Sequence, residues 1–255
     1  MGTNIERGFT VIETMLFLAI SAVLVIALLA GSGTSISIQR YRDSVVSLQS
    51  VLQDQYFHVT NVSNTPPTGA LTCDTDANVS KDPYSPPTTR GQGNCVVIGK
   101  YVTIVDTRIS SDTVVGYNSK SGSSYADDIE ELKDHNLAIL PDSNESSDLE
   151  WGTRIAWPTS GKDAKSQTTP RTIAMLILRS PTSGLIYTFT TNSIPGKLED
   201  VVIKGNNVPG QGEQILCIDS NGLFAGGLSI FINSYASSSN AIETHSNDVY
   251  GDSQC

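Results

Sequence analysis

Glu13 is the residue whose chemistry most needs an explanation. It follows Gly8-Phe9-Thr10-Val11-Ile12 and opens onto the run TMLFLAISAVLVIALLA from Thr14 to Ala30, which holds no Lys, Arg, Asp, Glu, Gly or Pro. An ionised side chain at the centre of a membrane helix costs about 2.5–3.5 kcal/mol on insertion scales, so such residues usually have a task. Glu13 lies near one end of the run, where the cost is softened. From Phe9 the segment reaches the ~20 residues that cross a bilayer as a helix. The chemistry open to a lone carboxylate there is pairing with a cation, since a desolvated ion is tolerated mainly when it is paired and hydrogen-bonded. An ordinary secretory signal is the bland alternative, and Ala30-Gly31-Ser32 offers a small-residue cleavage site for it. Arg7 is the single basic residue before the run and Glu6 cancels it, a poor n-region for such a signal.

Other chemistry-bearing patterns fall short. His58, His135 and His245 are far apart and form no His-x-x-x-His pair. No Gly-x-Ser-x-Gly elbow occurs. Gly93 to Lys100 ends in Gly-Lys but has five residues between its glycines and Tyr101 after the lysine, so it misses the phosphate loop twice. Gly91-Gln92-Gly93 and Gly210-Gln211-Gly212 lack the third glycine of a dinucleotide fingerprint and read as turns. Asp219, Glu243, Asp248 and Asp252 carry oxygen ligands suited to calcium, but at no spacing of a known loop, and they read as solvated acids. Asn61, Asn78 and Asn144 head Asn-x-Ser tripeptides, which arise readily in this composition. The expectation is a non-enzymatic chain with no catalytic residue, no cofactor and no metal.

The elements that must position Glu13 follow from length and pattern. The chain has 255 residues, a formal net charge of -10 and a pI near 4.6. That is room for an anchor, a stalk and one head domain. The acidic balance argues against nucleic acid as a partner, and no Lys/Arg cluster follows Arg40 and Arg42. Beyond the apolar run, Gly31-Ser32-Gly33 reads as a bend. Then Ile38, Tyr41, Val45, Leu48, Leu52, Tyr56 and Val59 recur at three-four spacing, with Gln39, Arg40, Arg42, Asp43, Gln49, Gln53 and Asp54 off the stripe. Such a stripe needs a sheet to pack on; a coiled coil is its rival.

Residues 61 to 94 read as a Pro-rich loop. Strands are expected at Cys95 to Val105, Thr113 to Tyr117, Thr153 to Trp157, Thr172 to Leu178, Leu185 to Thr190, Val201 to Lys204, Gln214 to Asp219 and Gly227 to Ile232. Ala126 to Leu140 reads as a short acidic helix, and Ser234 to Cys255 as polar loop. All four cysteines, Cys73, Cys95, Cys217 and Cys255, follow the apolar run, so an exported head would carry two disulfides. Three pairings are possible. Cys73 with Cys95 and Cys217 with Cys255 is favoured, because each pair encloses a Gly/Ser/Asp/Pro-rich segment that a local staple would restrain.

A short polar leader ending in Gly8, then Phe9-Thr10, then Glu13, then the apolar helix resembles the N-terminus of type IV prepilins and type II secretion pseudopilins. The resemblance covers about the first thirty residues. It implies cleavage by a prepilin peptidase between Gly8 and Phe9, N-methylation of Phe9, and pairing of Glu13 with the Phe9 amine of a neighbouring subunit. It implies residues 1–8 as leader, 9–30 as membrane and assembly helix, 31–60 as amphipathic stalk helix and 61–255 as extracellular β-rich head. The expected fold is thus pilin-like α+β: a long N-terminal helix packed on an antiparallel β-sheet head.

The implied partners are other pilin subunits, the peptidase, the inner-membrane assembly machinery, and the membrane before assembly. The implied location is the bacterial cytoplasmic membrane, head outside, then an extracellular filament. The Cys217 to Cys255 pair resembles a disulfide that often closes a C-terminal loop in that family. The size, the many strands and Cys217-Ile218-Asp219-Ser220-Asn221-Gly222 resemble minor pilins and pseudopilins of the H or FimT-like type. Many family members carry a glycine and a proline inside the membrane segment. Residues 14 to 30 have neither, which moves the expected hinge to Gly31–Gly33. A secretion pseudopilin is the nearest alternative; one from another class is a membrane-anchored extracellular domain for adhesion or ligand binding, in which the helix only tethers.

Overall fold

The computed structural model describes residues 10–61, 70–82, 95–118, 125–158, 171–204, 213–222, 227–233, 236–246 and 255. Residues 1–9, expected as a leader ending at Gly8 followed by Phe9, and Asp248 and Asp252 lie outside them.

Helix α1, Val11–Thr60, is one unbroken 50-residue element. At 1.5 Å per residue it is ~75 Å long. The bend expected at Gly31–Gly33 is not there. Hydroxyls of the surrounding segment bond back to the helix instead: Ser32 to the Leu29 carbonyl (3.1 Å), Thr34 and Ser35 to Gly31 (2.9 and 3.1 Å), and Ser37 to Gly33 (3.1 Å). These local bonds satisfy side chains without leaving helical geometry.

The stripe packs on sheets, as its spacing requires. Tyr41, Val45, Leu48, Leu52, Tyr56 and Val59 are all buried. They meet inner-face residues of two antiparallel sheets. The larger sheet contains β3 (Cys95–Val105), β4 (Arg108–Asn118), β5 (His135–Ile139), β6 (Glu145–Asp148), β8 (Thr172–Arg179) and β9 (Ile186–Thr191), in the order β5-β4-β3-β8-β9 with β6 also on β4. The smaller contains β7 (Arg154–Ala156), β10 (Gln214–Asp219), β11 (Leu228–Ile232) and β12 (Ile242–Ser246), in the order β12-β11-β10-β7. A separate hairpin, β1 (Ala70–Cys73) with β2 (Val79–Asp82), precedes them.

Strand β8 shows that the larger sheet is covered on both faces. Its Ile173, Met175 and Ile177 face α1, while Ala174, Leu176 and Leu178 face a second core with Leu132, Leu198, Val201 and Val202. A strand covered on both faces reads as a continuous apolar run rather than an alternating one. The cover on that far side is helices α2 (Asp128–Lys133) and α3 (Leu198–Lys204). Gly99 sits where β3 slips register against β4, and a Cβ there would lie 2.1 Å from the Ile177 carbonyl oxygen of β8.

Several expectations are corrected. Val201 to Lys204 is helical, part of α3, with Glu199 and Asp200 in its first turn where a helix dipole favours acids. The acidic helix stops at Lys133, and His135–Ile139 is strand. Residues 242–246, read as loop, form edge strand β12. The long loop after α1 contains the β1–β2 hairpin. Both favoured disulfides are present: Cys73–Cys95 (Cα–Cα 5.7 Å) ties that hairpin to the first residue of β3, and Cys217–Cys255 (5.4 Å) ties the chain's last residue to β10.

Candidate functional site

The functional candidate is α1 itself, exposed for half its length and seated in the head for the other half. From Val11 to Ile36 every residue is exposed except half-buried Ser21. Leu16, Phe17, Leu24 and Leu28 each keep more than half their surface open. So long an apolar strip has no cover among the described residues. By length and composition α1 is the described helix able to cross a membrane.

Glu13 stands at the start of that strip, and its sequence setting carries a signal beyond the apolar run. Thr10-Val11-Ile12-Glu13 is a capping box. The Glu13 backbone N–H donates to Thr10 Oγ1 (3.3 Å), while the Thr10 N–H (2.9 Å) and hydroxyl (3.1 Å) both donate to Glu13 Oε2. Oε1 has no partner among the described residues. The carboxylate therefore holds the helix start with one oxygen and presents the other outward.

The seat is built from buried polar groups on the stripe. Tyr41, fully buried, donates its hydroxyl to the Ile218 carbonyl (2.8 Å) and accepts the Leu228 N–H (2.8 Å), so one side chain bridges β10 and β11. Burial raises its pKa. Ser44 and Thr153 hydroxyls lie 2.5 Å apart, and Gln55 Oε1 accepts from Ser111 of β4 (2.6 Å). Tyr56 meets Thr188 (2.8 Å), whose hydroxyl donates on to the Ala236 carbonyl (2.6 Å). Gln49 and Gln53, expected off the stripe, both donate to the Ile242 carbonyl of β12. At the C-terminal end Arg179 donates to the Thr60 carbonyl (3.2 Å), a cation where the helix dipole favours one.

The remaining candidates resolve into structural roles. Asp219 pairs with Arg154 (2.9 Å) and accepts the Asn221 N–H, and Glu243 lies 3.0 Å from His245. The calcium reading thus loses two of its four ligands to other partners, and the other two lie outside the described residues. Among the described residues no three His, Cys, Asp or Glu side chains group as metal ligands. His58 sits 3.1 Å from Asp54 on α1, His135 is buried with Nδ1 2.8 Å from the Glu131 carbonyl, and His245 stacks on Phe231. They are not brought together. Asn61, Asn78 and Asn144 are exposed, each with its amide donating to a nearby oxygen.

Two polar clusters were not visible in the sequence. Glu131, buried on α2, accepts from Ser180 (2.7 Å) and Thr182 (2.5 Å), while Asp128 accepts from Ser183 (2.5 Å) and Tyr187 (2.8 Å). The Ser183 bond, foremost, draws the Asp128 pKa down. Arg171, fully buried, lies over the Trp157 ring and donates to the Ile215 carbonyl, Asn192 (3.1 Å) and Gln214 (3.0 Å). Both clusters join loops to strands from residues far apart in the chain.

The fold and site define an α+β protein with one long apolar helix and an antiparallel, disulfide-stapled head. Compared with protein-family models, with curated proteins and with solved structures, the chain matches none.

Proposed function

We propose that this chain is a non-enzymatic structural subunit, of minor-pilin type, in a type IV pilus-like filament. A prepilin peptidase cuts after Gly8, Phe9 becomes the methylated N-terminus, and Glu13 pairs with the Phe9 amine of a neighbour. The observation that carries this reading is the division of α1: an exposed apolar half headed by Glu13, continuous with a half locked into the head. Outward Glu13 Oε1 supports it, because a cation can be met there without breaking the helix cap. Before assembly the apolar half lies in the cytoplasmic membrane with the head outside; afterwards neighbouring helices cover it.

The test is intact-mass and N-terminal analysis of the chain purified from cells, together with a Glu13→Leu variant. The reading expects a chain starting at methylated Phe9, with Glu13→Leu absent from sheared filaments. A chain starting at Gly33 would refute it in favour of a secretory signal. Normal incorporation of Glu13→Leu would sink the pairing.

A further inference from the structure

The flank of α1 leaves a cleft against the sheet edge. Its walls are Val46, Ser50, Val51 and Asp54 of α1 on one side and Glu145 and Ser147 of β6 on the other, with a volume of about 520 Å³. Register explains the lining. Ser147 pairs with Ile109 and Glu145 with Ser111, whose side chains face α1, and cross-strand partners share a face. So β6 turns a carboxylate and a hydroxyl toward the helix where the neighbouring strand turns core residues. The helix and sheet stay apart there, and acids face each other across the gap. The Glu145 side chain makes no hydrogen bond or ion pair among the described residues, while Asp54 lies 3.1 Å from the exposed His58 of its own helix.

A matching cation exists on the same helix. The Arg42 side chain is exposed and makes no hydrogen bond or ion pair among the described residues, whereas Arg40 is stacked on Trp151. Arg42 and Asp54 are twelve positions apart. In a straight helix that is ~18 Å along the axis and about 120° around it. They cannot meet within one chain. They lie on different flanks, which is the arrangement of a heterologous contact, and one that also shifts each copy along the axis repeats as an open filament rather than a ring.

Resting on the filament reading above, we infer that this cleft receives Arg42 of a second copy of the chain, displaced ~18 Å along the helix direction. The guanidinium enters between Asp54 and Glu145, and the serine hydroxyls accept its remaining N–H groups. The Phe9 to Glu13 pairing offsets neighbours by four residues, or ~6 Å. The Arg42 contact therefore links copies three such steps apart and ties the heads together above the membrane layer.

The experiment uses full-length chains in producing cells. Arg42→Glu and Asp54→Arg are expected each to lower the sheared-filament yield roughly tenfold, the effect of one close interfacial charge pair. The double variant Arg42→Glu/Asp54→Arg is expected to restore it. All these side chains are exposed and the Asp54 to His58 pair is a solvent-screened surface contact, so the melting curve of the detergent-solubilised subunit should move by no more than about 1–2 °C. Co-expressed Arg42→Cys and Glu145→Cys chains should give a covalent dimer on oxidation of filaments. Normal yields for the single variants with no dimer, while Glu13→Leu still abolishes incorporation, would overturn this contact and leave the filament reading standing. Loss with Asp54→Arg but not with Arg42→Glu would assign the cleft to a different basic partner and overturn the second-copy assignment. A wild-type chain absent from filaments would overturn both.

Discussion

Replacing Tyr41 by Phe isolates what seats the helix in the smaller sheet. The ring stays, so no cavity opens, and the change removes one hydroxyl that serves the Ile218 carbonyl and the Leu228 N–H, each at 2.8 Å. Tyr41 and its bond to the Ile218 carbonyl are buried and the Leu228 N–H is half-buried, so water replaces the hydroxyl poorly. Leaving a buried donor without a partner costs about 1–3 kcal/mol. The carbonyl, with a second lone pair, adds less, and ~2 kcal/mol is the expected loss. At roughly 2–4 °C per kcal/mol for a domain of this size, the melting temperature should fall by about 4–8 °C.

Tyr56→Phe is the control. Thr188 loses Tyr56 but keeps its bond to the Ala236 carbonyl, so a single ordinary hydrogen bond disappears, worth ~1 kcal/mol. Near-UV circular dichroism of the full chain in detergent micelles, scanned with temperature and with urea, measures both. A Tyr41→Phe loss below ~0.5 kcal/mol, smaller than a typical hydrogen bond, or one no greater than that of Tyr56→Phe, would refute the bridging role.

Alkaline stability should fall early. Burial, with Asp112 contributing, pushes the Tyr101 pKa from 10.0 up to about 12, and burial also raises Tyr41 and Tyr56. A raised folded value means the contribution is whole below the unfolded pKa of 10.0 and is lost as pH climbs toward about 12, which a urea-midpoint series across that window will measure. In acid, Asp128 and Asp74 have depressed values, from their bonds to Ser183 and to Asn78, so their small, solvent-screened contribution holds above 3.8 and fades as pH falls below it. Asp128→Asn should flatten that acid limb in the same series. Gly99→Ala should destabilise the head by more than ~2 kcal/mol, because the new methyl meets backbone of β8 rather than a movable side chain. Losing Cys73–Cys95, which spans 22 residues, should cost roughly 3 kcal/mol, and Cys217–Cys255, spanning 38, roughly 4, read by urea unfolding of Ser variants.

The long helix and its stripe were legible because a single periodicity ran through Tyr41 to Val59 with no competing signal. Most strands were legible through β-branched runs such as CVVIGKYVTIV. Short elements were not. Val201-Val202-Ile203 is too short for periodicity to separate a buried strand from a buried helix, and tertiary contact with β8 and β9 settled it. Strand β12 was hidden because Thr244 and His245 find partners across space, at Gln49 and Phe231. Gly31 and Gly33 misled because a cost of about 1 kcal/mol per glycine is too small to end a helix that continues on both sides. Glu13 was visible as a charge beside an apolar run, yet its capping partner Thr10 stood three residues away unread. The Arg171 and Glu131 clusters depend on distant segments converging, which no local pattern announces.

Because Tyr41 to Val59 continue the exposed apolar stretch of α1 and also form the middle of the head's core, no linker separates the two among the described residues. A pull on the apolar end travels axially into a nineteen-residue span whose stripe is interlocked with the core, and is borne in shear along the helix flank, with Tyr41 gripping the near end and Arg179 the far one. The head cannot be separated from the exposed half of α1 as an intact unit without tearing out its own centre. A protease cut in the exposed stretch near Gly31 to Gly33 should accordingly release the head with half of α1 still inside it.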